Sequence, residues 1–320
     1  MKILVIQNRM GIGDNIMFLP FIEAISKKFN TPVNLMVRKS SKAEEYLEYT
    51  NYINKIFTLQ REKNSKGKHD GLLGSMNLIK DLKIEKFDKI FIFNSSLRFR
   101  LIAKLAGINE VYQYPLFSKK KQHITETAKK FIKDTIDINK FNDPKIFIQD
   151  DKLTEVSSKF EIKKQDTNIL LGIGGSGPTK RIPANIFLEF MEDLTKIKKC
   201  RFFLATGNDK DEQLILNKIL NSKLGNLCTP LDFMSIKETL PIIKSCDAAI
   251  CNDTSYSHLS AALGVNTITL MADTPLIYGS YSSKMHPVIP DGVEEVTHNT
   301  LGRDKINPKK IFEKLIKILN

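Results

Sequence analysis

Residues 171–183 read L-G-I-G-G-S-G-P-T-K-R-I-P, close to the midpoint of a 320-residue chain. The apolar run 169–171 leads into this stretch, glycines stand at Gly172, Gly174, Gly175 and Gly177, Lys180 and Arg181 follow, and helical spacing starts at Pro183. A strand, a glycine-rich turn, two cations and a helix start together make a site for phosphate. Glycines let backbone N–H groups approach oxygens, the helix start offers unpaired donors and the positive end of its dipole, and the side chains add full charges. The ligand class indicated is a nucleotide or pyrophosphate.

Outward from this stretch, strand and helix patterns alternate in both directions. On the C-terminal side, periodicity predicts strands at 168–171, 201–205, 248–251 and 267–270, helices at 184–196, 211–220 and 257–263, and a closing helix at 308–319. On the N-terminal side it predicts strands at 2–7, 33–37, 55–59 and 89–93 and helices at 15–29, 43–49, 76–83, 94–106 and 125–134. A further strand is expected at 145–148 and a linking helix at 151–160. Residues 60–74 are polar and glycine-bearing, which reads as an exposed loop with His69 in solvent. Such alternation implies α/β architecture with two doubly wound parallel sheets, one in a domain of residues 1–150 and one in residues 151–320. The closing helix is expected to pack back on the first domain.

Apolar residues make up 42% and charged residues 27%, the proportions of a globular chain. No apolar run approaches the ~18 residues of a spanning helix. Met1 leads at once into the strand pattern at 2–7, so no signal peptide is expected and the chain reads as cytoplasmic. Cys200, Cys228, Cys246 and Cys251 have no zinc or redox spacing and read as buried thiols. The net charge of +13 is uneven, with 27 Lys+Arg against 16 Asp+Glu in residues 1–150 and 22 against 20 in the remainder. Lys119, Lys120 and Lys121 belong to that basic half. An anionic partner and a simple lysine-rich genome bias both account for the asymmetry.

Three constellations lie where a strand hands over to a helix, the edge at which parallel sheets bind ligands. They are Gly11–Asp14 (G-I-G-D), the stretch at 172–183, and residues 252–258 (N-D-T-S-Y-S-H). Asp14 suits a helix N-cap and equally a general base in a turn open to a ligand. Asp253 and Thr254 carry the same ambiguity between capping and phosphate or ribose binding. His258 reads as a structural histidine or a phosphate donor. Arg98 and Arg100 follow a strand end, as a solvated helix face or as ligand contacts. A Walker A loop is excluded because no Gly-Lys-Ser/Thr follows the glycines. G-I-G-G-S-G matches only part of the dinucleotide fingerprint, and N-R-M-G-I-G-D at the first strand–helix turn supplies none, which argues against an oxidoreductase. Charge alone favours a nucleic-acid partner, with no matching motif, so none is expected.

Taken together, G-I-G-D at 11–14, N-S-S-L-R at 94–98, G-P-T-K-R-I-P at 177–183 and N-D-T-S-Y-S-H-L-S-A-A-L-G at 252–264 resemble the bacterial heptosyltransferases, glycosyltransferase family nine. The resemblance spans nearly the whole chain in the family's order. It implies a GT-B fold, two Rossmann-like domains facing a central cleft, with acceptor on the first and nucleotide sugar on the second, and neither cofactor nor bound metal. Asp14 inherits the role of general base in an inverting transfer, with ADP-heptose as donor and a lipopolysaccharide-core or other anionic glycan as acceptor. Lys180, with Arg181 beside it, inherits contact to the donor phosphates, and Asp253, Thr254, Ser255 and His258 lie against the nucleotide diphosphate. Gly174, Gly175, Ser176 and Thr179 complete the donor loop, while Gly207, Asp209 and Glu212 are expected to meet the nucleoside. Gly11, Gly13, Asn94, Arg98 and Arg100 fall on the acceptor side. A lipid-linked acceptor implies peripheral contact with the inner membrane. Ile182 replaces the family's usual Trp, Ser255 its usual Gly, and M-A-D-T-P at 271–275 its usual G-P-T-x-P, departures expected to flank the donor pocket. A degenerate nucleotide-sugar-binding protein of the same fold is the alternative that the motifs leave open.

Overall fold

The computed structural model describes residues 1–61, 67–116 and 124–320. The basic cluster Lys119, Lys120 and Lys121 lies outside them. The chain forms two compact units, Met1–Pro144 and Lys145–Asn320.

Unit 1 runs β1 (Ile3–Ile6), α1 (Ile12–Phe29), β2 (Val33–Arg38), α2 (Ala43–Tyr46), β3 (Ile53–Leu59), α3 (Gly71–Glu85), β4 (Lys89–Ile92), α4 (Leu97–Leu105), β5 (Glu110–Gln113) and α5 (Ile124–Ile136). Its sheet is parallel throughout in the order β3-β2-β1-β4-β5. The chain therefore reverses its winding between β1 and β4, the switch point where a doubly wound sheet opens a crevice. Alternation along the central strands divides the side chains between two faces. Leu4, Ile6, Ile90 and Ile92 pack with Leu78 and Leu82 of α3 and with Phe99 and Ile102 of α4. On the other face Phe91 and Phe93 meet Phe131 of α5, and Phe93 also meets Phe18 of α1, mostly edge to face.

Unit 2 runs α6 (Asp150–Lys159), β6 (Thr167–Gly172), α7 (Ala184–Thr195), β7 (Cys200–Ala205), α8 (Lys210–Leu220), β8 (Cys228–Pro230), α9 (Ile236–Lys244), β9 (Ala248–Asn252), α10 (Ser255–Ala262), β10 (Thr267–Leu270), β11 (Met285–Val288) and α11 (Pro308–Leu319). The six strands are parallel in the order β11-β10-β9-β6-β7-β8, with the switch point between β6 and β9. The core joins Ile169, Leu171, Phe202, Leu204 and Ile250 of the sheet to Phe187, Phe190, Leu216, Ile311 and Leu315 of the helices, so α11 contributes to the core of its own unit.

Several expectations are corrected. The strand expected at 145–148 does not form; Ile146 donates its N–H to Ala262 O as irregular chain. The loop expected to run to residue 74 ends at Asp70, where α3 begins, and His69 is buried rather than solvated. Its Nδ1 accepts from the N–H of Gln60 and its Nε2 lies 3.0 Å from Asp81. Four elements went unanticipated: β5, β8, α9 and β11. The three strands are sheet edges of three or four residues, reading E-V-Y-Q, C-T-P and M-H-P-V, with little of the apolar run that marks a central strand. All four cysteines are free thiols, Cys228 half-buried and the others buried. Burial pushes Cys251 up to about 12, which leaves it protonated at neutral pH.

Candidate active site

At the switch point of unit 2, Asn252 ends β9 fully buried and donates from Nδ2 to Ile173 O and Gly174 O, both at 2.9 Å. One side chain thus fastens the exit of β6 to the exit of β9. Ser176 is exposed on the loop beyond, Thr179 is half-buried, and a single helical turn at Pro178–Lys180 delivers Lys180. Lys180 Nζ stands 2.6 Å from Asp253 Oδ2. Asp253 precedes α10 and is 7% exposed. Burial alone would raise its pKa, but Lys180, His258 and the hydroxyl of Thr274 outweigh burial and hold the carboxyl below its ordinary value. His258 Nε2 lies 3.9 Å from Asp253 Oδ1, and its Nδ1 is 2.7 Å from the hydroxyl of Tyr281, whose ring stacks on the imidazole.

The N-cap of α10 is Thr254, yet its side chain makes no capping bond, and Ser255 opens the helix half-buried. Thr254 Oγ1 and Thr206 Oγ1 are buried and find no hydrogen-bond partner among the described residues. Two orphan hydroxyls, a lysine held on a buried carboxylate and the positive end of the α10 dipole form a set that suits a phosphate ester.

The glycines around this loop have a use different from the expected one. None of Gly172, Gly174, Gly175 or Gly177 has positive φ. The room at Gly174 and Gly207 is filled by Glu212: a Cβ at Gly174 would sit 2.7 Å from Glu212 Oε1, and one at Gly207 2.5 Å from Oε2. Oε1 also accepts from the N–H of Gly175 at 2.6 Å. Glu212 therefore locks the loop from beneath. Arg181 is likewise engaged, with Nε on Gly175 O at 2.9 Å and Nη1 at 3.0 Å from both Asp209 and Asp211. Asp209 caps α8 by accepting from the N–H of Asp211. Ile182 is fully buried in the core of unit 2, so this departure from the family pattern is a packing position and not an exposed pocket wall.

In unit 1 the switch point gathers the ends of β1 and β4. Asn94 Nδ2 donates to Asn8 Oδ1 at 3.4 Å, and Asn94 Oδ1 accepts from the N–H of Ser96. The N-cap of α1 is Gly11, so Asp14 sits in the first helical turn, as does Gly13, and is not the cap. Asp14 Oδ1 stands 3.4 Å from Arg9 Nη1, with the carboxylate partly open to solvent. Arg98 turns inward from α4, donating to His69 O and Ser75 Oγ, while Arg100 is exposed. Sequence reading missed a cavity of about 550 Å³ beyond the ends of β2 and β3, lined by Arg38, Lys39, Lys42 and Arg61 and by Glu44 and Glu45. Burial and the neighbouring Arg61 lower the pKa of Arg38. It also missed Thr206 and Tyr281, which come from segments that only folding brings together, and it gave no individual role to Asn252 and Thr274 within the motifs at 252–258 and 271–275. No group of three or more His, Cys, Asp or Glu able to hold a metal occurs among the described residues.

The sequence matches the model of glycosyltransferase family 9 (heptosyltransferase) over residues 77–290. Lipopolysaccharide heptosyltransferase 1 of Campylobacter coli is 23% identical, the alignment covering 95% of this chain and 93% of that protein. Among solved structures, the family 9 glycosyl transferase of Veillonella parvula superposes with a TM-score of 0.81 at 17% identity, covering 99% of this chain and 97% of that one. The ADP-heptose lipopolysaccharide heptosyltransferase II of Escherichia coli superposes with a TM-score of 0.75 at 18% identity, covering 100% and 98%. With two parallel-sheet α/β units of the GT-B type and a family match across two thirds of its length, this chain belongs to glycosyltransferase family 9, the heptosyltransferases, and is a glycosyltransferase.

Proposed function

We propose that the chain transfers a heptose from ADP-heptose, with inversion, to a sugar hydroxyl of the lipopolysaccharide core. The observation that carries the donor half is the linked set Lys180–Asp253–His258 beside the start of α10, next to the unpartnered hydroxyls of Thr254 and Thr206. A departing nucleoside diphosphate gathers negative charge, and Lys180 with the α10 N-terminus stabilises it at fixed positions. Arg181 and Glu212 hold the loop in register, and Gly174, Gly175, Ser176 and Thr179 present its backbone and hydroxyls to the phosphates. Glu212 lies between the loop carrying Gly207 and Asp209 and the glycine-rich turn, a position suited to a ribose contact on loading.

Asp14 is the general base on unit 1. It is not consumed in capping, its carboxylate is partly open to solvent, and the surrounding turn carries Gly11 and Gly13. It takes the proton of the acceptor hydroxyl as that oxygen attacks the anomeric carbon and the C–O bond to the diphosphate breaks. The cavity beside Arg38, Lys42 and Arg61 suits an anionic substituent of the acceptor, with Asn94 and Arg100 on the neighbouring edge. A lipid-linked acceptor and the cation surplus of residues 1–150 support peripheral contact with the cytoplasmic leaflet. The deciding experiment offers ADP-heptose, GDP-heptose and UDP-glucose to the wild type and to Asp14→Ala, scoring transfer and diphosphate binding separately. Transfer from the ADP sugar alone, lost in Asp14→Ala with ADP affinity retained, is expected. Preference for another nucleotide refutes the donor, and normal turnover by Asp14→Ala refutes the base.

A further inference from the structure

Exposed apolar side chains are ordinary when scattered, but here they are concentrated. Of the fourteen exposed large hydrophobic residues among those described, seven lie on α3 and α4: Leu72, Leu73, Met76, Ile84, Leu97, Leu101 and Leu105. Leu72 is 81% exposed and Leu73 76%. On α4 the leucines recur every four residues and form one stripe. On α3 the exposed set lies opposite Gly74, Leu78 and Leu82, which face the core. Arg98 joins the starts of the two helices, donating to Ser75 Oγ at 2.9 Å and to His69 O, so the two apolar faces lie side by side.

Charge on this face has one sign. Lys80, Lys83, Arg100 and Lys104 are exposed among the leucines. The two carboxylates of these helices are committed elsewhere, Asp81 to Lys68 and His69 and Glu85 to Lys2 and Lys55. An apolar stripe studded with cations complements a surface that is apolar within and anionic at its rim. A second copy of this face would bring lysine against lysine, and a polar glycan would leave the leucines in water.

We propose that the outer face of α3 and α4 is a docking surface for an anionic lipid bilayer, with the leucines in the acyl boundary and the lysines among the headgroups. Both helices begin at the carboxyl edge of the unit 1 sheet, the edge that carries Asp14 and Asn94, so docking would bring a lipid-anchored acceptor to that edge. The inference names the surface for the peripheral contact proposed above and rests on that reading.

The test is co-sedimentation of the full chain with vesicles of phosphatidylglycerol and phosphatidylcholine, and of phosphatidylcholine alone, for three proteins: the wild type, the triple variant Leu73→Gln, Leu101→Gln, Leu105→Gln, and the double variant Lys80→Gln, Lys83→Gln. Glutamine keeps the helices favourable. ADP affinity and the melting temperature serve as folding controls. The expected result is wild-type binding to the anionic vesicles alone, weakened ~tenfold or more in the triple variant and about tenfold in the double variant, with ADP affinity unchanged. Wild-type binding retained by both variants overturns the surface and leaves peripheral contact standing through some other face. Failure of the wild type to bind any vesicle overturns both, while transfer from ADP-heptose is judged independently. If the triple variant loses ADP affinity or stability, the double variant decides, and equality with wild type refutes the proposal. A wild-type dimer that the leucine changes dissociate, with vesicle binding intact, assigns the face to a second copy instead.

Discussion

The carboxyl edge of the unit 2 sheet is a finished site, and the corresponding edge of unit 1 is an open one. In unit 2, Asn252, Asp253, Arg181 and Glu212 are all buried, each tied by short bonds to a neighbouring segment. In unit 1, the ion pair of Asp14 with Arg9 is exposed at 3.4 Å, and Asn94 reaches Asn8 at the same distance. On the donor and acceptor assignment proposed above, the difference follows what each edge has to hold. A diphosphate is small, of fixed shape and highly charged, so its donors gain from being set in advance in a low-dielectric wall. A glycan hydroxyl needs a base that it can reach.

The contrast makes opposite predictions for the two edges, and the largest concerns Asp14. Replacing it with Ala should reduce turnover by ~10²–10⁴-fold, with ADP affinity and melting temperature unchanged, because nothing buried depends on it. A large loss of stability in Asp14→Ala would show the unit 1 edge to be as tightly built as the other. Lys180→Met should lose both function and stability. ADP affinity falls, and unfolding in urea at pH 7 should show a deficit of about 1–3 kcal/mol, below the cost of breaking a fully buried pair because Lys180 keeps some solvent contact. The pH dependence separates this from a packing defect. In the wild type the carboxyl of Asp253 is depressed, so its contribution is present above the ordinary carboxylate pKa and fades as pH falls through the depressed value. Without Lys180 the largest counterweight to burial is lost, the carboxyl rises from its depressed value, and the charged form burdens the folded state. The deficit of the variant should therefore be largest near pH 7 and shrink toward pH 4, where the stranded carboxylate takes up a proton. A deficit independent of pH would dissociate Lys180 from Asp253.

The same contrast decides what the sequence could disclose. The alternation of strands and helices around residues 167–172 and 184–195 was legible because central parallel strands are apolar on both faces and the helices are amphipathic. The segments proposed to meet a ligand stood out as motifs, and G-I-G-D and N-D-T-S-Y-S-H each follow a strand exit. Roles inside those motifs were not. Arg181 reads as a phosphate ligand from its place beside Lys180, and only the fold reveals that Asp209 and Asp211 occupy its guanidinium. The glycines of 172–177 read as room for phosphate, and the fold fills the room at Gly174 with Glu212, a residue from the far end of the next strand–helix turn. α9 did carry a signal, the capping box of Ser235 and Glu238, obscured by Pro241 within the helix.

Two smaller effects test the lock under the glycine-rich loop and the looseness of the unit 1 edge. Gly174→Ala puts a Cβ against Glu212 Oε1, which is held by the N–H of Gly175 and so cannot simply swing away. A loss of ~1–3 kcal/mol is expected. Combining it with Glu212→Ala should recover ~1 kcal/mol or more relative to the sum of the single changes, the signature of two groups competing for one space. Additive losses would mean that Glu212 does not fill the room Gly174 leaves. At the other edge, Arg9→Ala removes the exposed partner of Asp14 and should cost no more than ~0.5 kcal/mol of stability, with turnover changed by at most a few-fold. A guanidinium so open to solvent contributes little at 3.4 Å, and Asp14 is left free to meet the acceptor hydroxyl. If Arg9→Ala instead reduced turnover as far as Asp14→Ala while leaving stability untouched, Arg9 would be orienting the base, and the unit 1 edge would be preorganised by long-range charge in place of the buried bonds that set unit 2.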